Sequence, residues 1–372
     1  MKSSKVFYAL MAALLFISVF MGYSFAKSMG LLKKYPKPKY LTYEEESIRP
    51  AYRTLSKKEQ AVYEALYRGI NDHKKEIPLP YDVSGDTYNK IFCMIEKQEG
   101  RLFQLDSVYY TANKVRNAQI VYRVDEEEYE RMAAELDKAV RQATLDVAPN
   151  ANDYDKVMRI HDYLVRNCKY IESDETGLSS TSYGCLVNRK ANCEGYAKAF
   201  NVLCEKAGVQ TVLITGVADG ENHAWNQVLV NGAWYNIDVT WDDTDIGGDM
   251  RRMYYLCDDD EFYKTHMPDK ESFEPFPCNG ENGGGSYYKM NGHFAETMDD
   301  AREIILRELK AGSSEIDIKF ATEELYDRFR KEYVEDQKVF GLIYEAGRDD
   351  SSGMTISVRE NRPELHMTVI LT

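Results

Sequence analysis

Three residues of this sequence have the types that acyl transfer through a thiol requires: Cys193, His223 and Asp238. Cys193 lies in the segment Ala191-Asn192-Cys193-Glu194-Gly195-Tyr196-Ala197-Lys198-Ala199-Phe200. Downstream of it, Ala197, Phe200, Cys204 and Ala207 keep helical spacing and Gly208 supplies a stop, which puts Cys193 at a helix N-terminus. Free backbone N–H groups and the helix macrodipole favour an anion there, and so favour a nucleophilic thiolate. Glu194 would oppose this if its carboxylate turned toward the sulfur. Cys204, mid-helix on the apolar face, reads as a small core hydrophobe.

His223 and Asp238 become neighbours through a turn. Asn231-Gly232 separates His223-Ala224-Trp225-Asn226-Gln227-Val228-Leu229-Val230 from Ala233-Trp234-Tyr235-Asn236-Ile237-Asp238-Val239-Thr240-Trp241. Asn-Gly between two strand-like runs signals a two-residue type I′ hairpin. In that register Val230 faces Ala233, Trp225 faces Asp238 and His223 faces Thr240. His223, Trp225 and Asp238 then share one face, with His223 and Asp238 diagonal to each other at about 7 Å. A carboxylate at that position fixes the imidazole tautomer and steadies the imidazolium. A one-residue bulge would undo the geometry. Taken singly, His223 reads as an ordinary histidine and Asp238 as a turn or cap residue; the three together fill every role of a catalytic triad.

The string from Asn192 through Phe200, with His223-Ala224-Trp225-Asn226-Gln227-Val228 and Gly232 through Asp243, resembles the transglutaminase-like superfamily in its bacterial secreted form. The resemblance is specific from Ser182 to Asp243. It extends more weakly through Ile160-His161-Asp162-Tyr163-Leu164 upstream and Tyr254-Tyr255-Leu256…His266 downstream. It implies a papain-like α+β core, in which the helix bearing the nucleophile packs on an antiparallel sheet. Cys193 would be the nucleophile, His223 the base and acid, and Asp238 the orienting carboxylate, with no cofactor and no metal. Arg189 and Asn192 stand where the family often has Gly and Val, which bears on pocket shape rather than on the triad. The implied chemistry is attack on an amide carbonyl to give a thioester, resolved by water in a peptidase or by an amine in a transglutaminase.

The backbone N–H of Cys193 is a ready oxyanion donor, and Tyr183 is a second candidate from its place upstream of the helix. Trp225 shares the catalytic face and could wall a substrate groove, with Trp241 at its end, whereas Trp234 reads as packing. The acidic loop of Asp242, Asp243, Asp245 and Asp249 lacks EF-hand spacing and reads as solvated. His161 and His266 read as structural.

Helical spacing marks Ser56–Ile70, Glu126–Thr144 and Asp153–Asn167, while Leu102–Tyr110 and Ile120–Val124 are strand-like. The organisation expected is a mixed region over 51–148, the catalytic domain over 149–272, a Pro- and Gly-punctuated linker over 273–290 and a small α+β unit over 291–372. Before them come Val6–Ala26, an apolar run behind Lys2 and Lys5, and a basic, Pro-bearing tether over 27–50. The run with Ser24-Phe25-Ala26 reads as a signal peptide or membrane anchor over 1–26, and so as an extracytoplasmic protein. The five lysines that follow the run work against that orientation.

The 372 residues carry −14, and residues 1–40 hold seven lysines and no acid, which leaves −21 for the rest. A body that acidic repels a phosphate backbone, so a nucleic-acid partner is not expected, and soluble or cationic peptide and protein substrates are. Membrane contact is expected through the N-terminal segment alone. Seven cysteines without C-x-x-C spacing argue against structural zinc, and their odd number leaves at least one thiol free, a place Cys193 would fill. Hydrolysis by a cysteine peptidase or amidase is the leading expectation, ahead of transglutaminase cross-linking and of a binding module that keeps the fold without turnover.

Overall fold

The computed structural model describes residues 2–28, 35–106, 109–243, 252–269, 273–280, 287–348, 355–362 and 364–372. Parts of the tether, the linker and the acidic loop, including Lys33, Lys34, Asp245 and Asp249, lie outside them. The apolar N-terminal run falls in one helix, α1 (Lys2–Ser28). Among the described residues no helix is long and apolar enough to cross a membrane.

The region before residue 149 builds α2 (Lys57–Asn71), β1 (Glu76–Val83), α3 (Gly85–Gln98), β2 (Val115–Gln119) and α4 (Glu126–Ala143). A capping box starts α2: the Ser56 hydroxyl takes the Glu59 N–H and the Glu59 carboxylate takes the Ser56 N–H. Among the described residues of the expected strand over Leu102–Tyr110, Leu105–Asp106 form a strand paired with Val121–Tyr122, and residues 107–108 lie outside the described residues. The longer pairing of this region is β1 against β2, with Ile77 opposite Ala118. Its sequence signal is masked because β1 contains Pro78 and Pro80, which strands accept only where no ladder donor is needed. β1 has a single partner, which leaves that freedom.

The central portion contributes α5 (Asp153–Asn167), α6 (Cys193–Ala207), β3 (Thr211–Ala218), β4 (Glu221–Val230), β5 (Ala233–Ile237), α7 (Val239–Asp242), α8 (Asp259–Phe262) and β6 (His266–Pro268). Its antiparallel sheet runs β6-β3-β4-β5. Strand alternation divides the sheet into two faces. Val212, Ile214 and Trp225 join a core with Leu66, Ile91, Phe92 and other N-terminal residues. Val228, Val230, Tyr235 and Ile237 join a second core with Leu136, Ile160, Phe200 and Cys204. Ala197 of α6 meets Leu213 and Ala224 on that second face, with Cys193 packed against the same three. The fold is α+β, with the cysteine helix laid on an antiparallel sheet.

The remaining elements are β7 (Phe294–Ala295), α9 (Met298–Ala311), β8 (Glu315–Phe320), α10 (Glu323–Phe329), α11 (Val339–Glu345), β9 (Ile356–Asn361) and β10 (His366–Leu371). They form a second sheet of order β7-β8-β10-β9 around a separate core that includes Ile305, Ile316, Phe329 and Met367. Contacts that join this unit to the preceding portion include Lys319 Nζ to Glu261 Oε1 at 2.8 Å and the Tyr254 hydroxyl to Glu364 Oε1 at 2.6 Å.

Candidate active site

Cys193 is the first residue of α6, as the spacing predicts. The Asn192 side chain caps the helix by accepting the Gly195 N–H at 3.2 Å, and Gly208 closes it in the left-handed conformation at φ 74°. The Cys193 and Glu194 N–H groups belong to the first turn, which has no intrahelical acceptors, and they surround the sulfur's end of the helix. Gly195 is required by close approach: a Cβ there would sit 2.2 Å from the Ser179 carbonyl oxygen. The helix tip is therefore pressed against the chain around Ser179. Cys193 is half-buried, and all seven cysteines are free thiols.

Glu194 turns away from the sulfur. Its carboxylate binds Lys97 on α3 at 3.0 Å and Lys198 one helical turn on at 2.7 Å. Burial alone would raise its pKa, but the two lysines bring it down to about 2. The local opposition to a Cys193 thiolate is thereby taken up by ion pairing.

The hairpin register is the expected one: Val230 pairs with Ala233 and Asn226 with Ile237, without a bulge. Asn231 and Gly232 have φ of 50° and 85°, the positive values that a type I′ turn demands. The ladder ends at Ile237, earlier than the sequence suggests. Asp238 instead caps α7, its Oδ1 accepting the Thr240 and Trp241 N–H groups at 2.9 and 3.3 Å. Thr240 is thus drawn into a helical turn and does not face His223. The diagonal contact still forms, with His223 Nε2 lying 2.7 Å from Asp238 Oδ2.

That bond leaves Nδ1 of His223 for the thiol, since Cys193 packs against the adjacent Ala224. Burial would lower the His223 pKa. The Asp238 charge, the Asp238 hydrogen bond and then Cys193 outweigh it and raise the value to about 10. In Asp238, burial pushes upward, but the His223 charge and hydrogen bonds from His223 and His266 hold the carboxyl well below its usual range. The site can therefore hold an imidazolium paired with a buried carboxylate.

Other expected site residues divide. Tyr183 is buried, packs on Phe103, and gives its hydroxyl to Glu135 Oε2 at 2.5 Å, so that group is spent away from the thiol. Trp225 is 1% exposed and lies under the imidazoles, 6.3 Å from His223 and 5.2 Å from His266 between ring centres. Without exposed surface it cannot wall a groove; it is a floor for the histidines. Trp241 is partly exposed, 5.6 Å from His223, and keeps the position expected of a groove residue. Trp234 stacks on Phe276 at 4.3 Å, as packing predicts.

The start of the acidic loop is not a solvated surface. Asp242 is fully buried, accepts the Met253 N–H at 2.8 Å, and lies 3.1 Å from His161 Nε2. Asp243 accepts the Tyr196 hydroxyl. His161 thus has the structural part expected of it.

Two further residues bear on this group: Tyr170, which the sequence does not single out, and His266, which the sequence reads only as structural. Tyr170 is 37% exposed, and burial and then the field of Cys193, with those of Glu172, Glu221 and Asp238, raise its phenol. His266 is buried, with Nε2 3.2 Å from Asp238 Oδ2 and Nδ1 2.8 Å from the Thr265 hydroxyl. Its only sequence signal is a place in the weakly matching downstream stretch. The ligand atoms of His223, Asp238 and His266 lie within 4.8 Å of one another, a spacing a metal ion would also accept. Two hydrogen bonds to one carboxylate oxygen account for it here, and no metal is assigned.

A helix-tip cysteine against a hairpin histidine–aspartate pair on an antiparallel sheet defines a papain-like class of domain. Residues 141–239 match the model of the transglutaminase-like superfamily, and the chain carries a domain of that superfamily. Mouse kyphoscoliosis peptidase is 26% identical over 176 residues, which cover 39% of this chain and 27% of the peptidase. The chain thus spans about a quarter of that relative's length. Among solved structures, one described as a TGase aligns over 36% of this chain and 37% of its own, at 19% identity and a TM-score of 0.29. One described as a putative cysteine protease from Cytophaga hutchinsonii aligns over 32% and 43%, at 21% identity and a TM-score of 0.25. The domain assignment rests on the sequence match over residues 141–239.

Proposed function

We propose that the protein is a thiol acyl-transfer enzyme acting on peptide or protein amides, with water as the usual acceptor. The observation that carries this is His223, held by Asp238 at 2.7 Å on the strand whose Ala224 packs against Cys193 at the tip of α6. The Cys193 sulfur adds to the carbonyl carbon while N–H groups of the first turn of α6 receive the oxyanion. His223 passes a proton to the departing amine as the C–N bond breaks, leaving a thioester. Water then gives a proton to His223 and adds to the thioester carbon, releasing a carboxylic acid and restoring the thiol. Hydrolysis is favoured over transfer to an amine because the matching relative is itself named a peptidase. The apolar α1 and the small residues around Ala26 support export, as signal or anchor, and an extracytoplasmic site of action.

The test uses the full chain. An iodoacetamide probe should label wild type at neutral pH far faster than a model thiol, and lose at least about a hundredfold of that rate in Cys193→Ala or His223→Ala. A glutamine-bearing peptide should release an acid product whether or not a primary amine is present. Amine incorporation would turn the reading toward transglutamination, and equal labelling of all three proteins would sink the catalytic reading.

A further inference from the structure

We infer that His266 is a positioning residue for the reacting set, holding Asp238 in the orientation that serves His223. This rests on the reading of Cys193, His223 and Asp238 given above. An ionised carboxylate has about four acceptor positions. Those of Asp238 are filled by the Thr240 and Trp241 N–H groups on Oδ1 and by His223 and His266 on Oδ2. The two backbone donors and Asp238 belong to one short turn, so they cannot by themselves fix that turn against the sheet. His266 can, because it comes from elsewhere: β6 lies at the opposite edge of the sheet from β5, with β3 and β4 between.

The structure is arranged to aim this ring. His266 pairs with Ala218 at the start of β6, and β6 comes so close to β3 that a Cβ on Gly216 would lie 2.1 Å from the Met267 carbonyl oxygen. The Thr265 hydroxyl, 2.8 Å from Nδ1, can donate to that nitrogen, which leaves a hydrogen on Nε2 for the carboxylate. Phe262 stacks on the ring at 4.0 Å, with Trp241 at 4.6 Å, Trp225 at 5.2 Å and Tyr254 at 5.5 Å. These neighbours exclude water from the bond and leave the ring little room to turn. A histidine needed only for packing would not require a hydroxyl on one nitrogen and a carboxylate on the other.

The titratable and charged groups facing His223 and Asp238 are Cys193 on α6, Tyr170 before the Ser179 segment with the nearby Glu172 and Glu221, His266 on β6, and Tyr254 against the His266 ring. Of these, His266 alone touches the carboxylate from outside its own turn and the hairpin.

Two readouts on the full chain test the inference: the NMR titration midpoint of His223 and the alkylation rate of Cys193 at neutral pH. In His266→Phe the ring volume remains but the donor is lost. The His223 midpoint should fall by about one unit and alkylation should slow about tenfold, the scale of one hydrogen bond to a charged group. His266→Gln, which can still donate, should recover most of both. Thr265→Val keeps the ring and should give a smaller change of the same sign, so the inference stays testable if His266→Phe fails to fold. An unchanged midpoint in a folded His266→Phe, or equal losses in the Phe and Gln variants, would overturn it. If Cys193 proves unreactive in wild type, the nucleophile assignment fails, while the His223 midpoint still reports on His266.

Discussion

At the scale of single residues, the site depends on one proton held on His223. A midpoint of about 10 means that the imidazolium persists through neutral pH. Because the folded value is raised, its pairing stabilises the native state fully below the ordinary histidine value and loses that contribution as pH climbs through about 10. Asp238→Asn removes the charge that raises it most strongly after burial is overcome. The His223 midpoint should then fall by at least about two units toward the ordinary value near 6.5, and thermal stability should lose its fall on the alkaline side. NMR titration of both proteins decides this; an unmoved midpoint would show that Asp238 does not set the histidine's charge. The His223–Asp238 contact and the place of Cys193 at a helix start were legible because each rests on a local signal: a two-residue turn with a strand period, and helical spacing. His266 was not legible. Its partner is 28 residues away, and only the order of strands in the sheet brings the two together.

At the scale of elements, the position of α6 is set by its first turn. Asn192 closes that turn, and Gly195 lets it seat against Ser179. Asn192→Ala should cost about 1 kcal/mol through loss of the cap. Gly195→Ala should cost more, about 1–3 kcal/mol, because its methyl must displace backbone rather than a flexible side chain. Denaturant unfolding measures both. The alkylation rate of Cys193 should fall further in Gly195→Ala, where the helix tip itself must move. If the glycine variant were neutral for both, the close approach would not be fixing the thiol. The hydrophobic period and stop signals showed that α6 exists, but neither could show what its tip meets. The same limit hid β1, whose prolines argue against a strand until its one-sided pairing is seen.

At the scale of the whole molecule, two carboxylates link the cysteine helix and its sheet to what surrounds them. Glu194 on α6 binds Lys97 on α3, and Glu261 on α8 binds Lys319 on β8. In both, burial pushes the pKa up and lysines more than compensate, to about 2 in each case: Lys198 and Lys97 for Glu194, chiefly Lys319 for Glu261. A depressed folded value gives stability that is complete above the ordinary glutamate range near 4.3 and disappears as pH falls toward 2. Acid should therefore loosen the N-terminal and C-terminal contacts of the sheet over one window, although their cores are separate. Thermal unfolding between pH 5 and about 2.5 should show a steep loss of Tm in wild type. The slope should flatten in Glu194→Gln and again in Glu261→Gln, each starting from a lower Tm at neutral pH. The two effects should add, because the pairs share no partner. A wild-type slope retained in the double variant would assign acid sensitivity to other carboxylates and leave the three parts of the chain joined by apolar packing and by their remaining polar contacts, Tyr254 with Glu364 and Gln98 with the Leu213 backbone among them.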